Sequence, residues 1–320
     1  MKDFQEFLEE IMEANSNIEP NNEMAHYTSV DAFISIAQSV HTINNQNCLK
    51  FWFTDAYCTN DKQEGTMGYN YVMDAFADLE SCLTNKEDCF LITNYEVEIS
   101  KSIRFKNNTP DQIRYWLTHD EATPYIMSLT RKVDDMDMWL KTYGNAGNGL
   151  CMVFNFAEMD TCRLQADFFI HGPFSVVYGD RIGYHKEKNV FMEIILKEYN
   201  SFLKEVNLLN DFDMILERKI QAIGQVCGLI SSFMKKEEWH SEWEKRLVAL
   251  RHFYPIDVAP KPIIHNNGKG HIEVDIPVSC LKKIIIGPCT NNEARERVLL
   301  NAERIGITNS KVIVSEKPIR

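Results

Sequence analysis

Five consecutive residues, Glu242-Trp243-Glu244-Lys245-Arg246, carry the densest chemistry in the chain. In an extended backbone alternate side chains share a face, so Glu242 and Glu244 stand together with Arg246 beside them. Two carboxylates on one face repel, and holding them there calls for a cation or a ligand hydroxyl. The same residues also fit a solvated helical face, with Trp243 and Leu247 apolar at an i, i+4 spacing, and pattern alone leaves both open. A second cluster, His26-Tyr27-Thr28-Ser29, sets a histidine and hydroxyls where a short strand runs into a helix, a common place for ligand contact. A lone histidine there is more often a satisfied structural residue. Asp134, Asp135 and Asp137 have the chemistry for a metal, but a helix start explains them equally, since carboxylates favour the positive end of the helix dipole. His265 and His271 are weak as a metal pair. Gly287-Pro288 before a capped helix suits an anion but lacks the glycines of a phosphate loop. Asn60, Asp61 and Glu64 read as a loop and cap.

The central unit that must position these residues is Pro124 to Phe156. It runs from an apolar stretch, Tyr125-Ile126-Met127, through the hydroxyl pair Ser128 and Thr130. The pattern then predicts one amphipathic helix carrying Met136, Trp139, Leu140 and Tyr143. A glycine-rich turn, 144–149, leads to a strand over Leu150 to Phe156. Around it the chain predicts a helix at Asp3 to Ala14 and a strand at Ala25 to Thr28. Ser29 caps a helix from Val30 to Ser39, and strands follow at Cys48 to Thr54 and Cys89 to Ile99, with a helix over Tyr69 to Leu83 between them. Residues 100–123 connect. Two long helical patterns, Glu187–Leu209 and Phe212–Lys235, form an insertion. A hairpin is expected over Ile263 to Ile276 and a strand ends at Gly287. Thr290 and Glu293 suggest a capping box for a helix to Arg304, and Lys311 to Ser315 is a last strand.

The chain has 320 residues, 44% hydrophobic and 25% charged, with a net charge of −12. That balance argues against a broad nucleic-acid surface or a basic membrane-binding face. Nine cysteines are scattered singly with no C-x-x-C pair, which suits reduced thiols in a cytoplasmic protein better than a disulfide framework or zinc ribbon. No apolar run approaches the roughly 20 residues of a membrane span.

Taken in order, these pieces resemble an uncharacterised bacterial family, domain of unknown function twenty-nine seventy-one. The matching segments are His26-Tyr27-Thr28-Ser29, Phe53 with Asn60-Asp61 and Glu64, and Ser128-Leu129-Thr130. Met138-Trp139 with Tyr143, Gly149 and Phe156 follow, then Glu242-x-Glu244-x-Arg246 and Ile284-x-Ile286-Gly287-Pro288. The resemblance spans roughly residues 24 to 290. It divides the chain into an N-terminal helix over 1–20, a domain over 24–290 that includes the 187–235 insertion, and a C-terminal helix and strand over 291–320 on the same domain.

A histidine on a first strand, a Ser-x-Thr on a middle strand and a late Glu-x-Glu are also similar to the three-part site of ADP-ribosyltransferases. That similarity implies an α+β fold with a mixed, split sheet flanked by helices, and NAD as substrate. It implies that Glu244 holds the nicotinamide ribose, that Glu242 orients or deprotonates an acceptor and that His26 holds the adenosine side. Ser128 and Thr130 would shape the pocket, Tyr27 or Tyr143 would stack on nicotinamide, and Arg131, Lys132 or Arg246 would offset the pyrophosphate. The role implied is that of a toxin or phage-defence effector acting on an unknown macromolecular acceptor or on water. This chain pairs a first-strand histidine with Glu-x-Glu, a combination that mixes two types of that superfamily. Two other classes remain open. One is a metal-dependent hydrolase or nuclease using Asp134, Asp135, Glu242 and Glu244. The other is a non-enzymatic sensor or interaction module in which Trp139, Tyr143, Trp239 and Trp243 are packing.

Overall fold

The computed structural model describes residues 23–56, 64–81, 124–156, 159, 164–165, 168–179, 200, 227–251, 263–264 and 270–318. The helix expected at Asp3 to Ala14, the strand at Cys89 to Ile99, Asn60, Asp61, His265 and most of the 187–235 insertion lie outside them.

The first described strand, β1 (Met24–Thr28), ends at Ser29, whose side chain accepts from the Ala32 backbone and starts α1 (Val30–Gln38) as the sequence predicts. Strands β2 (His41–Ile43) and β3 (Gln46–Asp55) form a hairpin. Its two-residue turn, Asn44-Asn45, has positive φ at both positions, the backbone twist that tight hairpins need. Helix α2 (Glu64–Ser81) comes next, starting earlier than the pattern suggested. The central unit follows with β4 (Tyr125–Thr130), a short α3 (Met136–Leu140), a 3-10 stretch (Thr142–Gly147) and β5 (Leu150–Phe154).

The single helix expected across the 130s and Tyr143 is therefore broken. Lys141 caps α3 in an extended conformation, and Asn145 and Ala146 adopt left-handed φ. The remaining strands are β6 (Leu164–Gln165), β7 (Phe168–Ser175), β8 (Val177–Tyr178), β9 (Met234–Lys235), β10 (Glu244–Arg251), β11 (Ile263–Ile264), β12 (Gly270–Pro277), β13 (Leu281–Ile286) and β14 (Val312–Val314). Helix α4 (Asn292–Arg304) precedes β14. Its N-cap is Asn291, which accepts from Ala294, while the expected cap, Thr290, turns its hydroxyl to the Gly149 carbonyl.

Among the described residues the sheet is mixed, with main order β11-β12-β3-β4-β1-β5-β13-β14. Most pairs are antiparallel, and β13–β14 is parallel. Strand β4 is where the sheet forks. One of its edges pairs along its length with β10, which continues to β7 and β6. The other edge is shared, with β1 meeting it at Ala25↔Thr130 and β3 at Thr54↔Ile126 and Asp55↔Tyr125. The fold is thus α+β, with a curled, forked, mixed sheet.

Alternation along the strands sorts the core onto two faces. One face gathers Met24, Phe51, Leu129, Met152, Phe154, Leu247 and Ile284 under Phe33 of α1 and Val298 and Ala302 of α4. The other buries Ala25, Tyr27, Cys151, Val153 and Ile285 under Met138 and Trp139 of α3. Trp139 is fully buried. Its indole N–H donates to the Asp134 carboxylate at 2.8 Å, and its ring meets Tyr27 edge-to-face. No helix among the described residues is long and apolar enough to cross a membrane.

Candidate functional site

The carboxylates singled out in the sequence converge, by a route that is neither the plain strand nor the helix. Glu242 closes a 3-10 turn (Glu237–Glu242), Trp243 takes a left-handed conformation at φ 47°, and Glu244 opens β10. That kink swings the Glu242 side chain back beside Glu244. Both are buried, and the cation that holds them together is Lys235 of β9, whose Nζ donates to Glu242 Oε2 and Glu244 Oε2, each at 2.8 Å. Arg246 donates from Nε to Glu244 Oε1 at 2.8 Å and from Nη2 to Oε2 at 3.2 Å. Its Nη1 donates to the Ser232 carbonyl. Lys141 reaches Glu242 Oε1 at 3.2 Å, and Lys235 lies over the Trp239 ring. Two carboxylates thus face three cations, which resolves their mutual repulsion.

The backbone locks the cluster to the sheet. Thr130 Oγ1 donates to the Glu242 carbonyl at 2.6 Å, and the Glu244 N–H donates to the Tyr178 hydroxyl at 2.7 Å. Burial alone would raise the Glu244 carboxyl, but the Arg246 and Lys235 charges outweigh it and hold the group down at about 2. Burial also works against the Lys235 charge, yet Glu244 and Glu242 keep its ammonium above the ordinary lysine value.

Register fixes who shares the face. Glu244 pairs with Thr130 and Arg246 with Ser128, so these four side chains lie on one side of the sheet, and Ser128 is exposed there among buried neighbours. His26 does not join them. It pairs with Met152 on the opposite face, where its ring meets Phe51 edge-to-face. Its Nδ1 lies 2.9 Å from the Ser128 carbonyl, an acceptor, so the proton is on Nδ1. Burial lowers its basicity and the Ser128 contact only partly offsets this. His26 is therefore a neutral group bridging the fork between β1 and β4.

Tyr27 is 6% exposed, donates its hydroxyl to the Lys132 carbonyl and accepts from the Asp135 N–H, so its ring is core. Tyr143 packs half-buried against the same core. Asp135 caps α3 by accepting from Met138, and Asp134 serves Trp139 and Ser315. These acids sit at their own anchoring tasks, and among the described residues no cluster of three metal-ligating side chains forms. His271 is buried on β12 and stacks on Trp52, 4.1 Å between ring centroids.

The glycine turn and Gly287 form a second tight junction. Gly287 N–H donates to the Gly149 carbonyl and Cys289 N–H to that of Gly147. A Cβ at Gly287 would lie 2.2 Å from the Gly147 oxygen. Gly287 is there for close backbone approach.

The sequence missed Lys235, the centre of the cluster. It lies in a stretch whose helical pattern gives no sign that the chain turns into a strand. No curated protein and no solved structure matches the chain. One family model does match, over residues 138–247. That span takes in Trp139, Tyr143, Gly149, Lys235 and the Glu242-x-Glu244-x-Arg246 strand, while His26, Ser128 and Gly287 fall outside it. This segment, with the buried ion cluster at its end, is similar to the family described as Protein of unknown function (DUF2971).

Proposed function

We propose that the polar ground around Ser128, Glu242 and Glu244 binds NAD and that the protein consumes it, by ADP-ribosyl transfer or by hydrolysis. The observation that carries this is the strand neighbourhood of β10 and β4. A buried carboxylate kept ionised, Glu244, stands beside the strand whose Ser128 hydroxyl is exposed. In the reaction the bond between the ribose anomeric carbon and nicotinamide breaks, and its electron pair leaves with the nicotinamide. A cationic ribose forms, and a fixed negative charge nearby stabilises it. The acceptor, water or a macromolecular nucleophile, forms the new bond and loses a proton, for which Glu242 is the nearest base. His26 enters as a positioning residue that holds the Ser128 backbone. Tyr27, with both hydroxyl roles taken inside the core, is not part of this pocket.

A second reading has its own support. Both oxygens of Glu244 are engaged by Lys235 and Arg246, while Trp243 beside it is 55% exposed. A saturated ion cluster that presents an aromatic ring suits an interaction module. Nicotinamide release from NAD, with cell lysate as a source of acceptors, separates the two. The enzyme reading expects release by the wild type that is lost in Glu244→Gln and reduced in Ser128→Ala. No release by folded wild type, with no NAD-dependent thermal shift, sinks it and leaves the interaction module.

A further inference from the structure

Lys245 is 4% exposed, and among the described residues no carboxylate, carbonyl or hydroxyl pairs with its amine. That is off pattern for a chain with 46 acidic and 34 basic residues, in which Lys50, Lys132, Lys141, Lys235, Lys236 and Lys283 all meet acidic partners. Buried ammonium groups are retained when something pairs with them. Alternation sends Lys245 to the face opposite Glu244 and Arg246, so their cluster cannot supply the partner.

Lys245 pairs across the sheet with Leu129 on one side and Ser175 on the other. Arg131, two residues beyond Leu129, stands where β4 meets Trp243, its N–H 3.5 Å from the Trp243 carbonyl. Its guanidinium is the charge that Lys245 senses most. Two cations therefore stand on one face at the end of the β4–β10 ladder, and no salt bridge joins either of them to an acidic side chain among the described residues. His26, two strands away on the same face, is neutral and adds none.

We infer that Lys245 and Arg131 form a binding site for a phosphate-bearing small molecule. An oxyanion bridging the two groups would accept charge-assisted hydrogen bonds from both and remove the repulsion between them. Burial, and then the charge on Arg131, pushes the free Lys245 amine down to about 8, so the anion would also restore its charge. The site lies on the other face from Ser128 and Glu244 and stands whether or not the NAD reading does.

The test is pyrophosphate binding by the full chain, read by calorimetry and by thermal shift at constant ionic strength. Chloride is the control, and inorganic phosphate is a second probe. The wild type should bind saturably and melt higher with pyrophosphate. Lys245→Met keeps the volume of the side chain and should melt no lower than wild type without ligand, while binding at least about tenfold more weakly. Arg131→Ala alters an exposed side chain and should weaken binding about threefold or more. Equal binding by all three proteins would mean diffuse surface attraction and overturn the site, as would no saturable binding by the wild type. Nicotinamide plays no part in this measurement, so its failure and that of NAD turnover are separable.

Discussion

Replacing Lys235 by methionine removes the ammonium that touches both buried carboxylates while leaving a side chain of similar length and volume. In the wild type its two 2.8 Å bonds end on Glu242 Oε2 and Glu244 Oε2. Afterwards Glu244 keeps Arg246, and Glu242 keeps only the longer contact with Lys141 on its other oxygen. Two carboxylate oxygens that shared a cation then face each other in a buried space. Removing one member of a buried charge pair costs about 3–5 kcal/mol. The retained Arg246 and Lys141 place this variant near the lower end, at about 3 kcal/mol. Equilibrium urea unfolding followed by tryptophan fluorescence measures it. The double variant Lys235→Met with Glu242→Gln removes the less compensated charge as well, so it should recover part of the loss and show non-additivity above about 1 kcal/mol. A loss below about 1 kcal/mol in the single variant, the range of exposed ion pairs, would refute the argument that the cluster is shielded from water.

Glu244 should also leave a mark on acid stability. Its carboxyl is held at about 2 against an ordinary 4.5, so the folded state binds fewer protons than the unfolded state between those values. The stabilisation is complete above about 4.5 and lost as pH falls toward 2, about 3 kcal/mol in all. Glu244→Gln should lack that part of the acid limb in a series of melts followed by circular dichroism, and an unchanged limb would show that the charge is not fixed. Gly287→Ala drives a methyl onto the Gly147 carbonyl, a backbone atom that cannot swing aside. A loss of about 1–3 kcal/mol in urea unfolding is expected, and none would mean the junction is loose. Trp139→Ala empties a fully buried site between α3 and the sheet and should cost about 3–5 kcal/mol. Trp139→Phe should cost less, despite losing the bond to Asp134, because most of the packing survives.

The parts of the fold legible in the sequence are those where one local rule decides. Ser29 before Val30, the alternation of β3 and the apolar run of β13 needed only neighbours in sequence. Strand β7 went unseen because Gly172-Pro173 sits in its middle, two residues that usually break a strand. The helix at Trp139 was predicted too long because apolar spacing continues to Tyr143. The chain instead leaves the helix at Lys141 so that Gly144 can fit under α3 against the Met138 and Trp139 backbone. At the candidate site, Glu242 and Glu244 were conspicuous by spacing. Their meeting depends on one left-handed residue, Trp243, and on Lys235, which only the tertiary fold brings near. His26 was noticed as a residue type, but its face was settled by the register of β1 with β5.

The fork at β4 has a consequence for how this chain is made. Contacts across it join His26 to Ser128, 102 residues apart, and Thr130 to Glu242, 112 apart. Such closures are slow to form because the intervening chain must be drawn in before any contact rewards it. On a ribosome adding about 5–20 residues per second, β4 would wait roughly 6–24 s before β10 emerges to cover its edge. During that interval Met127 and Leu129 belong to a strand with one whole side unpaired, a template for pairing with a neighbouring nascent chain. The strand that joins the two arms of the finished sheet is thus one that a chaperone would have to shield while it is made.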